Sequence, residues 1–283
     1  MIENGQYATL EVLRDTPPGL FLGDEDGNEV LLPNKYVPRE IEIGEEIPVF
    51  VYRDFDERLV ATTLNPYVNL NEFALLKCEI VDKVGAFMDM GLEKQLLVPF
   101  AEQKAPMQEG RWYIIRMMLD EKTDRLYGSN RIDRFITQIE PPYEVGEQVE
   151  ILVWKLTDLG WKVIVDHMFE GLIYHNEKYG RELRVGEART AFVKTIRPDG
   201  KMDMSLRPIG YLNTVTPDAT KILEKLELEG GWLNLTDKSD PDQIRHTLQM
   251  SKKAFKRAVG ALYKAQLIDL QDDGIKLTAR QRT

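Results

Sequence analysis

The same succession of landmarks occurs three times between residues 10 and 206, and it restricts the fold more than any other feature of the chain. Each copy opens with a strand-like stretch followed by a turn glycine: Leu10-Glu11-Val12 before Gly19, Cys78-Glu79-Ile80-Val81 before Gly85, and Ile151-Leu152-Val153 before Gly160. Eleven residues beyond each glycine comes an apolar segment, starting at Val30, Leu96 and Gly171. A second turn glycine, Gly44, Gly110 or Gly186, follows the first by 25, 25 or 26 residues. Two further strands complete each copy, over 47–52 and 58–62, 112–119 and 125–129, and 191–196 and 201–206. Five short strands separated by turn signals, in units of about 60 to 70 residues, fit a closed Greek-key barrel of the OB type, whereas a solenoid needs a shorter period. The predicted units are 1–66, 67–140 and 141–215.

Beyond Thr216 the periodicity changes. Residues 218–229 alternate as an amphipathic helix, 232–235 are extended, 241–249 are helical, and Ser251 caps a helix running to Gln266. Residues 267–270 and 275–278, joined by Asp272-Asp273-Gly274, form a hairpin. Helix, strand, two helices and a β-ribbon is the order of a winged helix. The predicted class is therefore mostly β, with three tandem OB-fold barrels and a winged-helix domain over 216–283.

Several kinds of chemistry are not expected. There is no phosphate-wrapping Gly-x-x-x-x-Gly-Lys-Ser/Thr loop, no Gly-x-Ser-x-Gly elbow and no dinucleotide turn. The three histidines, His167, His175 and His246, have no metal-ligand spacing, and Cys78, the single cysteine, reads as a small core residue. Neither an enzyme, a metal nor a cofactor is expected. No apolar run reaches the ~18 residues of a membrane span, and Met1-Ile2-Glu3-Asn4 lacks the layout of a secretory signal, so a cytoplasmic location is expected.

Gly-Ala-Phe-Met at 85–88, Gly-Leu-Ile-Tyr-His-Asn-Glu at 171–177, Val-Gly-Glu at 185–187 and Lys-Met-Asp-Met-Ser-Leu at 201–206 resemble the S-one-type RNA-binding barrel, the third copy most closely. Three such barrels followed by a winged helix resemble, across essentially the whole chain, the conserved virulence factor B family of bacterial RNA-binding proteins. The resemblance implies a regulator of gene expression, tied to virulence in some members, that holds single-stranded RNA by base stacking and phosphate contacts. It also implies site residues. Phe21 and Phe87 match the second aromatic of the glycine turn, whereas Pro18, Val84 and Leu159 replace the first. In the second copy Phe87, Asp120 and Arg125 match and Pro99 does not. In the third, Lys162 takes the aromatic position, with Trp161 beside it, Tyr174 at the usual histidine position, His175 next to that and Lys201 near the final turn. For Phe21 and Phe87 barrel packing weighs equally with base stacking. Trp161 and Tyr174 are expected to stack bases together from one face.

Charge divides unevenly among the units. Residues 1–66 hold 14 acidic and 5 basic side chains, 67–140 hold 12 and 10, 141–215 hold 11 and 10, and 216–283 hold 10 and 12, giving nets of -9, -2, -1 and +2. An RNA backbone should be repelled by the first unit and tolerated by the others, so the first is expected to be a spacer or a protein-contact module. On the predicted helix 251–266, Phe255, Ala258, Val259 and Leu262 form an apolar stripe, and Lys252, Lys253, Lys256, Arg257 and Lys264 share the opposite arc. That arc is either a groove-facing surface or a solvated basic face. Three alternatives to RNA regulation stay open: a DNA-binding transcription factor using this helix, a ribonuclease, and a protein-interaction scaffold.

Overall fold

The computed structural model describes residues 2–137, 139–177, 182–208, 216–264 and 267–278. In β1 (Gln6–Thr16) Leu10 and Val12 are buried and Glu11 between them is exposed, the period of two that sends one strand face into a core. With β2 (Gly19–Gly23), β3 (Glu29–Pro33), β4 (Glu46–Arg53) and β5 (Leu59–Thr62), this strand closes a barrel ordered β1-β2-β3-β5-β4. The third unit repeats it with β11 (Gln148–Leu156), β12 (Gly160–Val165), β13 (Phe169–Tyr174), β14 (Ala188–Ile196) and β15 (Met202–Ser205), ordered β11-β12-β13-β15-β14.

The second unit departs from the expected closure. Its strands, β6 (Phe73–Asp82), β7 (Gly85–Asp89), β8 (Leu96–Pro99), β9 (Trp112–Asp120) and β10 (Arg125–Ser129), form a sheet ordered β10-β9-β6-β7-β8 with β8 and β10 unpaired to each other. Closure is slender even in the other units, resting on Leu31↔Val60 in the first and on two parallel pairs in the third. In the second, β10 faces the side chains of β8: a Cβ at Gly128 would stand 2.8 Å from Val98 Cγ2 and 3.2 Å from Leu96 Cδ2. The core is otherwise that of the predicted barrel, and Cys78 lies within it, fully buried.

The two glycine landmarks have distinct physical reasons. At Gly19, Gly85 and Gly160 the backbone has φ of 151°, 149° and 152°, and an added Cβ would stand 2.1, 2.3 and 2.1 Å from the carbonyl oxygens of Leu32, Val98 and Ile173. Only glycine fits between the strands there. The second glycine docks the loop before the fourth strand onto the first strand. Gly44, Gly110 and Gly186 donate their N–H to the carbonyls of Val12, Cys78 and Val153 at 2.8, 2.7 and 2.8 Å. Each docking point adjoins a bulge, because the register shifts between Val12 and Arg14, Cys78 and Ile80, and Val153 and Lys155. The bulge turns the first strand so that it pairs with both the second and the fourth.

The units are joined by built interfaces. Phe50, Tyr52 and Val60 of the first unit belong to the same buried cluster as Leu76, Met88 and Ile115 of the second. Arg53 forms an ion pair with Asp124, and Asn4 donates to the Asp124 carbonyl at 2.8 Å. The first unit is therefore packed into the second through both apolar and polar contacts. Between the second and third units, Phe73, Ile114 and Ile132 pack against Leu152, Trp154 and Ile164. There His167, itself at φ 58°, accepts a hydrogen bond at Nδ1 from the Phe73 N–H at 2.9 Å, and its carbonyl accepts from Arg116 at 2.8 Å. Arg116 also lies over the rings of Phe73 and Phe135, at 5.0 and 5.1 Å from their centroids.

The last unit follows the predicted order: α1 (Pro217–Leu228), β16 (Trp232–Leu233), α2 (Pro241–Leu248), α3 (Lys252–Lys264), β17 (Ile268–Leu270) and β18 (Ile275–Leu277). Asp240 caps α2 through the Asp242 N–H at 2.8 Å, and Ser251 caps α3 through the Ala254 N–H at 3.2 Å. Phe255, Ala258, Val259 and Leu262 are buried against Ile222, Leu226 and Ile244, as the apolar stripe requires. The strands pair in the order β16-β18-β17. Residues 265 and 266, the end of the predicted helix, lie outside the described residues, as do 209–215 at the end of the third predicted unit. Among the described residues no helix is long and apolar enough to cross a membrane.

Two consequences can be measured. Gly160→Ala should cost roughly 3 kcal/mol, because strain and collision with a backbone carbonyl combine, while Gly44→Ala, whose Cβ meets open space, should cost about 1 to 2 kcal/mol. Urea unfolding of both variants checks the difference, and equal costs would remove the steric explanation.

The second consequence concerns pH. Burial holds His167 below its ordinary value of 6.5; Glu72 opposes this, Arg116 beside it adds to it, and Asp166 and Glu150 oppose it least. Neutral His167 is the acceptor for Phe73, so its contribution is present above the ordinary value and is lost as pH falls from there toward the depressed one. His167→Asn keeps an acceptor and tolerates positive φ, so its unfolding midpoint should fall less between about pH 7 and about pH 5 than that of the native chain.

Candidate nucleic-acid interface

Adjacent strand residues face opposite ways, and this decides which of the predicted side chains can act together. In the third unit Trp161 is opposite Ile173, a fully buried core residue, and packs partly buried against the barrel core. Lys162 is opposite Leu172, and Tyr174 is opposite Gly160. Trp161 thus takes the inward register that Leu20 and Ala86 hold in the other copies, while Lys162 and Tyr174 share the outward one. The expectation that Trp161 and Tyr174 stack bases from one face is corrected: the period of two separates them.

The outward face holds a groove of 380 Å³ lined by Leu159, Lys162, Glu170, Leu172, Arg197 and Lys201, among others. Glu170 organises it, because its carboxylate lies 2.6 Å from Lys162 Nζ and 3.5 Å from Lys201 Nζ. Arg197 forms an ion pair with Asp203, which raises its already high pKa, and donates to the Tyr174 hydroxyl at 3.2 Å. Lys162 also lies 5.7 Å from the Trp154 ring centroid, on the side of the second unit. Three cations therefore line a groove floored by Leu172 and Met202, each cation is restrained by a carboxylate, and the Tyr174 hydroxyl adjoins the groove through Arg197. His175 is exposed beyond Tyr174, at the start of a short helical turn. Arg197, Glu170 and Asp203 were not singled out from the sequence. Arg197 opens the final charged turn, where its N–H donates to the Lys201 carbonyl at 2.8 Å, and that position was the available signal.

Phe87 and Arg125 stand elsewhere. Both line a cleft of 260 Å³ whose opposite wall comes from the first unit, including Tyr52, Phe55 and Glu57. Arg125 Nε is 3.2 Å from Glu57, which also pairs with Lys94 at 3.3 Å. Phe21, at the matching position of the first unit, is covered by the Arg14 guanidinium 4.3 Å from its ring centroid, and Arg14 is held in turn by both oxygens of Glu29. Asp120 serves its own turn, accepting from Thr123 and from the Lys122 N–H.

On α3 the basic arc is unequally engaged. Lys252 donates to the Ser239 carbonyl at 2.7 Å, Lys256 lies 3.7 Å from Asp237, and Arg257 lies 3.3 Å from Asp218. Lys253 is exposed and forms no ion pair among the described residues. Tyr263, 55% exposed on the same arc, is an aromatic that the charge pattern did not mark.

Comparison with known proteins agrees with this architecture. Residues 220–277 match the CvfB-like winged helix domain, and residues 4–64 match the S1 domain, so the S1 match falls on the unit whose charge argued least for nucleic acid. The chain is 33% identical to YitL of Bacillus subtilis over 92% of its own length and 89% of that protein. It is 26% identical to conserved virulence factor B of Staphylococcus epidermidis over 98% of its own length and 95% of that protein. A solved multidomain protein with nucleic acid binding domains from Streptococcus pneumoniae is 27% identical, with 97% and 98% of the two chains covered and a TM-score of 0.40. With an S1 match on the first of its β units, a winged helix of this particular class and relatives matched over nearly their whole length, the chain belongs to the conserved virulence factor B family.

Proposed function

We propose that this protein is a non-enzymatic, cytoplasmic regulator that binds single-stranded RNA and acts after transcription. The observation that carries the reading is the outward groove of the third unit, where Lys162, Arg197 and Lys201 surround an apolar floor beside Tyr174. Phosphate oxygens replace Glu170 as the partner of the two lysines, and an unpaired base rests against Leu172 and Tyr174. A barrel face of this kind tracks a single strand without needing duplex geometry. The winged helix adds cations from α3, chiefly Lys253, which has no competing carboxylate among the described residues. A base-paired duplex is the second reading, favoured by the exposed arc of Lys253, Lys256 and Tyr263 on a helix of the groove-reading type. Binding of a single-stranded RNA and a duplex DNA of equal length, measured at one salt concentration, decides between them. Tighter binding of the duplex would reject the RNA reading.

Two sets of substitutions test the assignment of residues. Lys162→Glu with Lys201→Glu should weaken RNA binding and lower the logarithmic salt slope by about 1.4, that is about 0.7 for each lost contact. An unchanged slope would remove the third-unit groove from the interface. On α3, Lys253→Glu should cost more affinity than Arg257→Glu, because Arg257 is already committed to Asp218. Equal and negligible effects of the two would identify the arc as solvated surface.

A further inference from the structure

The cleft between the first and second units is a second place where a strand can be held, and it reverses the role that charge alone suggested for the first unit. Its walls bring two aromatic rings to one opening: Phe87 on β7 and Phe55 on the turn between β4 and β5. Phe55 is 71% exposed, an unusual position for a large apolar ring with no core function. Lys94 and Arg125 line the same opening and share one carboxylate, Glu57, while Lys94 also donates to the Asp54 carbonyl at 2.8 Å. That carboxylate is presented by a strained backbone, since Glu57 has φ 61°, and Asp124 across the junction has φ 50°. Non-glycine residues in this conformation are uncommon and gather at functional sites. Asn4 also lines the cleft, is only 4% exposed, and has an Oδ1 with no hydrogen-bond partner. Its Nδ2 donates to the Asp124 carbonyl at 2.8 Å, which ties the first-unit wall of the cleft to the second-unit wall. A volume of 260 Å³ lies just below the ~300 Å³ at which ordinary small-molecule sites begin, a size suited to one flat ring system.

We propose that this cleft takes one unstacked base of a single-stranded nucleic acid between Phe55 and Phe87, and that the adjoining phosphate displaces Glu57 from Lys94 and Arg125. The first unit then supplies half of a binding site, and its acidic residue Glu57 is an internal stand-in for phosphate that keeps the two cations in place while the cleft is empty. The inference rests on the reading of the chain as a single-strand binder and adds a site that the third-unit groove does not include.

The test uses the full chain and fluorescein-labelled homopolymer RNA long enough to span two barrels, about 20 to 30 nucleotides. Phe55→Ala removes an exposed ring, so folding is expected to persist, and affinity should fall about five- to hundred-fold, the usual loss for one base stack. Glu57→Gln should tighten binding and steepen the salt slope by up to about 0.7 as a further phosphate contact forms. Oligonucleotides carrying 4-thiouridine should cross-link to peptides containing Phe55 or Phe87. If Phe55→Ala binds like the native chain and cross-links fall only in the third unit or winged helix, the cleft is not a binding site while the proposed function stands. If the native chain binds no homopolymer even at low salt, the proposed function fails and this inference fails with it.

Discussion

A backbone carbonyl lying 2.1 to 2.3 Å from where a side chain would begin is the constraint on which each of the three β units depends. At Gly19, Gly85 and Gly160 the second strand starts so close to the third that no other residue can occupy the position. This pins the register of the hairpin, and the register turns Val30, Leu96 and Gly171, eleven positions later, toward the core. The second glycine fixes the opposite end by docking its N–H onto the first strand beside the bulge. Between these two anchors a strand cannot slip by one residue without turning its core face to solvent. The outward positions of Phe21, Phe87 and Lys162 are therefore consequences of the same two anchors, although their chemistry differs.

That common placement explains how one scaffold yields three different faces. In the first unit the aromatic is covered by Arg14, in the second it faces the neighbouring unit, and in the third a lysine replaces it and meets Glu170. In all three a carboxylate holds the nearest cation: Glu29, Glu57 and Glu170. Partly exposed pairs of this kind contribute about 0 to 1 kcal/mol, so exchanging a carboxylate for a phosphate costs little and leaves the cations already positioned. The net charge of -10 is compatible with anion binding on these terms, because acidic residues beside the cations are exchangeable partners as well as a source of repulsion.

Much of this was legible from the residues alone, and the remainder divides by cause. The repeat, the succession of five strands in each unit, the winged-helix succession and the buried stripe of α3 all follow from local spacing, which a sequence states directly. Trp161 is next to the position of the usual aromatic, which Lys162 occupies, and the period of two puts the tryptophan on the opposite, inward face. The bulges left no compositional mark, since Leu13, Glu79 and Trp154 at those points share no chemistry. The junctions were invisible for a different reason. Phe50 and Tyr52 read as ordinary strand apolars, and nothing in their spacing says that their partners are Leu76 and Met88 of another unit.

The two junctions also differ in what they allow the molecule to do. Between the second and third units, Arg116 is partly buried, stacked on two rings and bonded to a backbone carbonyl, with its Nε lacking a partner. Opening that contact would expose the apolar surfaces of Phe73, Ile114, Leu152 and Trp154 and break the Arg116 bond to the His167 carbonyl, so it behaves as a fixed joint. The first junction has an apolar floor but an ionic rim, formed by Lys35 with Glu93, Lys94 with Glu57, and Arg125 with Glu57. Its apolar floor holds the two units together while its rim can exchange partners at little cost. Ligand exchange is therefore expected at the rim of the first junction and on the face of the third unit, with the second junction holding the span between them.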